Sequence, residues 1–249
     1  LSIPYYCVSD SPHAEAVSRL TVPLARRLFS PAVIPKEDWM RFGIASSDII
    51  QYNALDPYVW VRDAKPDLKM LRQMGLDSDS RIVTVRLEES FAAYLMNKSG
   101  DWRNLAPRII EELLRRECDA RIVVLPRYKQ HDRLLRSLRR KVIFPRSFVF
   151  GASLLASTSV FIGGGGTMTA EAALMGVPTI SYFPAGPTRV ESYLQEKNLL
   201  TRDLDPASIA ERVINWVDDE DHHTECRMRA QKLLQTMEDP LRVIAESIS

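Results

Sequence analysis

Residues 160–183, Val-Phe-Ile-Gly-Gly-Gly-Gly-Thr-Met-Thr-Ala-Glu-Ala-Ala-Leu-Met-Gly-Val-Pro-Thr-Ile-Ser-Tyr-Phe, restrict this chain more than any other stretch. An apolar run of strand length ends in four glycines, a short helical segment follows, and a second apolar run closes the unit. Gly163 to Gly166 remove every Cβ at the carboxyl end of the first strand, so a ligand can lie directly on the main chain there. The helix that follows aims its free N–H groups and its positive end at the same spot, which makes a seat for a phosphate. Glu171 sits one turn into that helix, within reach of whatever the phosphate is attached to.

The unit is neither a dinucleotide fingerprint nor a P-loop. Gly-x-Gly-x-x-Gly is absent, and no Gly-Lys-Ser/Thr follows. It also falls on the fourth strand of its domain, whereas a dinucleotide fingerprint belongs on the first. Close strand–helix packing is the plainer explanation, but packing asks for one glycine rather than four. Glu171 could instead be a capping acid. The residue three beyond Thr167 is Ala170, so a capping box misses by one, and dipole stabilisation is the remaining structural role.

Regular alternation surrounds this unit. Strands are expected at 81–85, 120–125, 142–144, 160–162 and 179–183, with helices at 102–117, 130–139, 148–157, 167–175 and 188–197. Further helices are expected near 206–218, 222–237 and 239–248. Five strands alternating with helices imply an α/β domain with a parallel sheet covered on both faces. Ahead of it, residues 1–8 read as a strand and 13–28 as a helix with Pro23 inside it. A strand at 32–34, a helix at 36–42 and a strand at 49–52 follow. Residues 53–80, rich in Asp and Pro, read as a linker with one helix near 66–74. The expected division is 1–62 for the rest of a first Rossmann-like domain, 63–80 for a linker, 81–237 for a second Rossmann-like domain and 238–249 for a terminal helix. The chain enters at once as a buried strand with no initiator Met, so the first domain is expected to lack its front.

At 249 residues and 45% hydrophobic content the chain can bury one large core or two small ones. A net charge of +1 gives no global argument for nucleic acid or membrane. The basic stretch 115–146 reads as a solvated helix face, since aromatic residues are sparse in it. No apolar run approaches the ~20 residues that span a bilayer, and no signal peptide is evident. Three scattered cysteines fit reduced thiols in a cytoplasm. His222-His223 lacks a third ligand at metal spacing and reads as surface.

Arg86 and Glu88 follow the strand at 81–85, on the sheet edge where ligands bind in open α/β folds; solvated loop charge is the alternative. Arg127 occupies the matching place after the next strand and could reach a phosphate or pair with an acid. His13 stands at a loop–helix junction and could act as a base or bind a sugar hydroxyl, against a capping-loop reading of Asp10-Ser-Pro-His-Ala-Glu15. Trp39 and Trp60 read as exposed aromatics suited to a contact, with the inter-domain surface an equally good home for them.

The glycine unit, together with Asp10-Ser-Pro-His-Ala-Glu15, Tyr52-Asn-Ala-Leu-Asp-Pro57 and Met237-Glu-Asp-Pro-Leu-Arg-Val-Ile244, resembles the hallmarks of a family known only as domain of unknown function 354, found largely in archaea. That family in turn resembles the two-Rossmann-domain glycosyltransferase-B superfamily, which includes the non-hydrolysing UDP-N-acetylglucosamine 2-epimerases. The resemblance implies a nucleotide-sugar site in the second domain. The diphosphate falls to Gly165, Gly166, Thr167 and Met168, with Gly164 and Thr169 beside them as further substrate-binding candidates, the ribose to Glu171, and the base to the loop around Arg146 to Phe150, Phe148 included. Arg86 or Arg127 would offset the charge of the departing diphosphate without a metal or other cofactor. His13 and Glu15 are the candidate catalytic groups on the first domain's side. One departure stands out: the epimerases carry Thr-x-His-Arg-x-Glu-Asn after their first second-domain strand, and Arg86 replaces that histidine here. The resulting expectation is a metal-independent glycosyltransferase acting on a nucleotide-diphosphate sugar, UDP favoured, with an unidentified acceptor and no nucleic acid. The alternatives are a sugar-nucleotide epimerase or hydrolase, and a sugar-nucleotide-binding subunit without chemistry of its own.

Overall fold

A computed structural model describes residues 3–89, 105–128, 131, 135–138, 140–145 and 149–248. Two all-parallel sheets organise them. The first is β1 (Tyr6–Val8), β2 (Arg27–Pro31) and β3 (Ile49–Tyr52), in the order β1-β2-β3. The second comprises β4 (Ile82–Arg86), β5 (Arg121–Leu125), β6 (Val160–Gly163), β7 (Thr179–Ser181) and β8 (Thr201–Arg202), in the order β5-β4-β6-β7-β8. The α/β class with parallel strands is therefore as expected.

The first sheet corrects the sequence reading. The helix expected at 13–28 runs only over Glu15–Thr21, a 3-10 turn at Val22–Leu24 takes Pro23, and Arg27–Pro31 is the central strand. This strand shows no alternation because both its faces are covered: Leu28, Phe29 and Ser30 are all fully buried. Leu28 happens to continue the helical spacing of Leu20 and Leu24, which gives the strand a helical pattern in the sequence. The strand expected at 32–34 is a turn. Val17, Leu20 and Leu24 point outward, and Ser18 is the buried residue of the helix. Trp39 is a core residue, not an exposed aromatic, and its indole N–H donates to Ser30 Oγ at 2.9 Å.

In the second sheet, β4 and the residue after it carry the main core: Val83, Val85 and then Leu87 pack with Ile109, Ile110 and Leu113 of the Leu105–Arg115 helix. The strand expected at 142–144 is reduced to one bridge between Val123 and Ile143, and the fifth strand is the unforeseen β8. The helix at Arg189–Glu196 opens with a full capping box, Thr188 against Glu191. Thr188→Ala should cost about 1 kcal/mol, read as a lowered melting temperature.

The chain ends back on the first sheet. Val243 and Ile244 of the Pro240–Ile248 helix pack on Phe29 and Tyr52, and Arg62 meets Asp239 at 2.8 Å. Leu55 and Val61, which follow β3, pack into a cluster with Ala170, Leu174 and Leu194 beside the second sheet. Among the described residues no helix is long and apolar enough to cross a membrane.

Candidate functional site

Strand register assembles the carboxyl edge of the second sheet. Arg86 is paired with Leu125 on one side and Gly163 on the other, and Gly163 with Ser181. β4 has its sequence successor β5 on one flank and β6 on the other, so the strand order reverses between β4 and β6. In open α/β sheets the crevice at that point is where ligands bind. A cavity of about 590 Å³ opens there, lined among others by Arg86, Arg127, Thr167, Met168, Glu171 and Trp60.

The glycines divide by what their missing Cβ would strike. At Gly163 it would meet Thr169 Oγ1 and the Phe161 ring, at Gly164 the main chain of Glu88 at 2.6 Å, and at Gly165 the Phe183 ring. Close packing thus accounts for three of the four, and Gly164 and Gly165 are buried. Only Gly166 is open; its Cβ would lie 2.7 Å from a terminal nitrogen of Arg127. Gly165 and Gly166 both have φ of +89°, a region that side-chain-bearing residues rarely occupy. Gly166 is the N-cap of the Thr167–Leu174 helix and has no side chain to offer that helix's first N–H groups. An uncapped positive end therefore faces the cavity beside a guanidinium.

Two arginines converge on this end. Arg86 donates to Pro126 O at 3.1 Å. Burial lowers its pKa, and Arg127 lowers it further by repulsion. Arg127 Nε donates to Leu87 O at 3.1 Å, and its guanidinium lies 3.6 Å from Glu89. Glu171 is the acid within the cavity. Burial raises its pKa, while hydrogen bonding from the Trp60 side chain and the charge of Arg86 oppose the rise. Its Oε2 lies 3.5 Å from where a Cβ on Gly151 would stand.

The remaining expected residues spread out. Thr169 does not line the cavity: it is 1% exposed, lies under Gly163, and its hydroxyl has no hydrogen-bond partner among the described residues. As the third residue of the helix it is turned about 200° from Thr167. Glu88 faces neither cleft nor solvent; it is 1% exposed and accepts from Tyr182 Oη at 3.1 Å. Phe148 and Arg146 lie outside the described residues, although Val149 and Phe150 of the same loop line the cavity. Glu15 is exposed on its helix and pairs with Arg19 and Arg41. His13 is half-buried. Burial lowers its pKa, against the fields of Asp10 and of Glu191 from the second sheet's side. Arg115 and Arg116, in the basic stretch, pair with Glu112 on a helix surface. His222 stacks on Trp216, and His223 is buried rather than surface.

Sequence reasoning missed a second group of polar side chains, at the carboxyl edge of the first sheet. Tyr52 ends β3, is fully buried and donates its hydroxyl to Asp56. Burial, then the charge of Asp10, pushes the Asp56 carboxyl up to about 6. In the sequence, Tyr52-Asn-Ala-Leu-Asp-Pro57 stands out only by its family resemblance. Its local signal was a tyrosine and an acid one turn apart after an apolar strand.

The model of a family described as Protein of unknown function (DUF354) matches residues 1–249. An uncharacterized protein of Methanocaldococcus jannaschii is 30% identical over 224 residues, 88% of this chain and 62% of that protein. The chain thus spans less than two thirds of that curated relative's length. Among solved structures, Anabaena HepE in complex with UDP and glucose superposes with a TM-score of 0.62 at 13% identity, over 98% of this chain and 71% of that one. The UDP-GlcNAc 2-epimerase of Methanocaldococcus jannaschii gives 0.56 at 13% identity, over 81% and 58%. At such identities the likeness is one of fold, of glycosyltransferase-B type.

Proposed function

We propose that this chain, which belongs to the DUF354 family, holds the nucleotide of a nucleoside-diphosphate sugar, UDP favoured, at the carboxyl edge of its five-stranded sheet and serves glycosyl transfer. The observation that carries the reading is the convergence at the β4/β6 reversal. An uncapped helix end, the Arg127 guanidinium over Gly166, and the Glu171 carboxylate one turn further on all meet one cavity. The first two suit a diphosphate, and the third suits ribose hydroxyls. The likeness to a protein crystallised with UDP and glucose supports the choice of nucleotide.

In transfer, the bond between the anomeric carbon and a diphosphate oxygen breaks, and negative charge grows on that oxygen. A helix end and guanidinium groups fixed beside it stabilise this charge without reorganising, in the place a cation would otherwise take. The acceptor hydroxyl gives its proton to a base on the first sheet's side. His13, kept neutral by burial, fits that role better than Glu15, which is engaged with two arginines on the surface. In this reading residues 1–62 and 81–237 form the two lobes, 63–80 link them, 238–249 return to the first, and the enzyme works in the cytoplasm.

Titration calorimetry with UDP, GDP, CDP and their sugars tests the proposal. Glu171→Ala should weaken UDP at least tenfold, since hydrogen bonds to a charged group contribute about 1.5–3 kcal/mol. Affinity should also fall on acidification, beginning above the ordinary glutamate range, because the raised pKa neutralises the acceptor early. No binding, or affinity indifferent to Glu171→Ala, would sink the reading. Release of free nucleotide only when an acceptor is added identifies a transferase. Turnover without one identifies an epimerase or hydrolase, and binding without turnover a non-catalytic subunit.

A further inference from the structure

We propose that His131, backed by Glu88, is a positioning residue that fixes the main chain at Arg127 and so holds the guanidinium over Gly166. The inference rests on the diphosphate reading above and assigns the part of the site that neither substrate nor cavity touches.

Three distances carry it. The backbone N–H of Arg127 points at His131 Nδ1, 3.2 Å away. A main-chain N–H can only donate, so Nδ1 must accept, and a neutral imidazole then carries its proton on Nε2. Nε2 faces Glu88 Oε1 at 4.0 Å, and the other carboxylate oxygen of Glu88 accepts from Tyr182 Oη at 3.1 Å. Both His131 and Glu88 are buried, at 4% and 1% exposure, where polar groups are held in one geometry by their partners. Glu88 belongs to the main chain against which Gly164 packs, and Tyr182 follows β7. One buried network therefore ties the segment after β5, which bears Arg127, to the segment after β4 and to the floor of the glycine loop.

The guanidinium end confirms what such a tie has to achieve. Arg127 Nε is already committed to Leu87 O and Nη1 lies 3.6 Å from Glu89, so Nη2 is the nitrogen turned to Gly166. Arg127 is the second residue past Leu125, on a loop, and a loop residue holds a ligand well only when its own main chain is fixed. Loss of the acceptor at Nδ1 would orphan a partly buried N–H and release the loop.

The test combines binding with a spectroscopic signature. Nitrogen NMR of the imidazole should show Nδ1 unprotonated and Nε2 protonated; the opposite tautomer overturns the proposal whatever the protein binds. His131→Leu should weaken UDP roughly tenfold and leave uridine unchanged, since only the diphosphate meets Arg127. His131→Asn places Oδ1 where Nδ1 was and should recover most of the lost affinity. In an Arg127→Ala background His131→Leu should add nothing, because both changes remove one contact. Additive losses, equal losses for UDP and uridine, or no rescue by asparagine refute the positioning role while leaving the diphosphate reading intact. If the wild type binds no nucleotide, that reading fails, and amide exchange at Arg127 still decides the tie. Protection lost in His131→Leu and kept in His131→Asn supports it, and protection unchanged in both overturns it. Should His131→Leu not fold, Glu88→Gln is measured in its place with the same expected loss for UDP alone.

Discussion

Gly164→Ala is expected to lower the melting temperature by roughly 6–12 °C, the effect of about 3 kcal/mol in a chain of this size. The added methyl would lie 2.6 Å from the main-chain nitrogen and Cα of Glu88, two residues past β4, and the Gly164 N–H is itself held to Arg86 O at 3.0 Å, so the loop cannot draw back without losing that bond. The β6 loop would have to lift from β4, and the register that sets Arg86 beside Gly163 would open with it. Gly166→Ala provides the contrast. Its methyl would meet only the far end of the Arg127 side chain, which can swing, so beyond the strain of a positive φ the loss should fall on UDP affinity. A Gly164→Ala protein melting within a degree of wild type would show that the loop is not packed against Glu88 as described. UDP affinity unchanged in Gly166→Ala would remove the division between packing and ligand glycines.

That division marks where reading the sequence succeeds and where it stops. The β6–helix–β7 unit was legible because glycine, apolar run and helix former each announce one local state, and the three agree. Why Gly164, Gly165 and Gly166 are there was not legible, because the neighbours that demand them, Glu88, Phe183 and Arg127, follow other strands. β2 was lost for a similar reason: a strand covered on both faces has no period-2 pattern, and a leucine at helical spacing then prevails. Arg86, Arg127 and Glu171 were found because each follows a strand or opens a helix at the ligand edge. His131 and Trp60 reach the same site from positions with no such signal. His131 lies within a basic stretch that reads as surface, and Trp60 belongs to a segment that reads as linker.

Asp56→Asn is expected to stabilise the protein at neutral pH, by up to about 3 kcal/mol, and to bring no gain below pH 4. The carboxyl is raised to about 6, first by burial and then by the charge of Asp10, against an ordinary value of 3.8. A carboxyl whose folded pKa lies above its unfolded one binds its proton more tightly in the native state. Between pH 4 and 6 the native state therefore holds more protons than the unfolded chain, and stability declines as pH rises through that window. Asparagine keeps an oxygen that can accept from Tyr52, so the variant loses the ionisation without leaving that buried hydroxyl unpaired. Melting curves of wild type and variant should converge as pH falls from 7 to 4, and Tyr52→Phe should change the midpoint of that convergence, since Tyr52 favours the ionised form. Parallel curves across the range would mean that Asp56 titrates as an exposed acid does. The site of this penalty is the carboxyl edge of the first sheet, where the charge of Asp10 adds to the partial burial of Asp56 and the hydroxyl of Tyr52 offsets part of it.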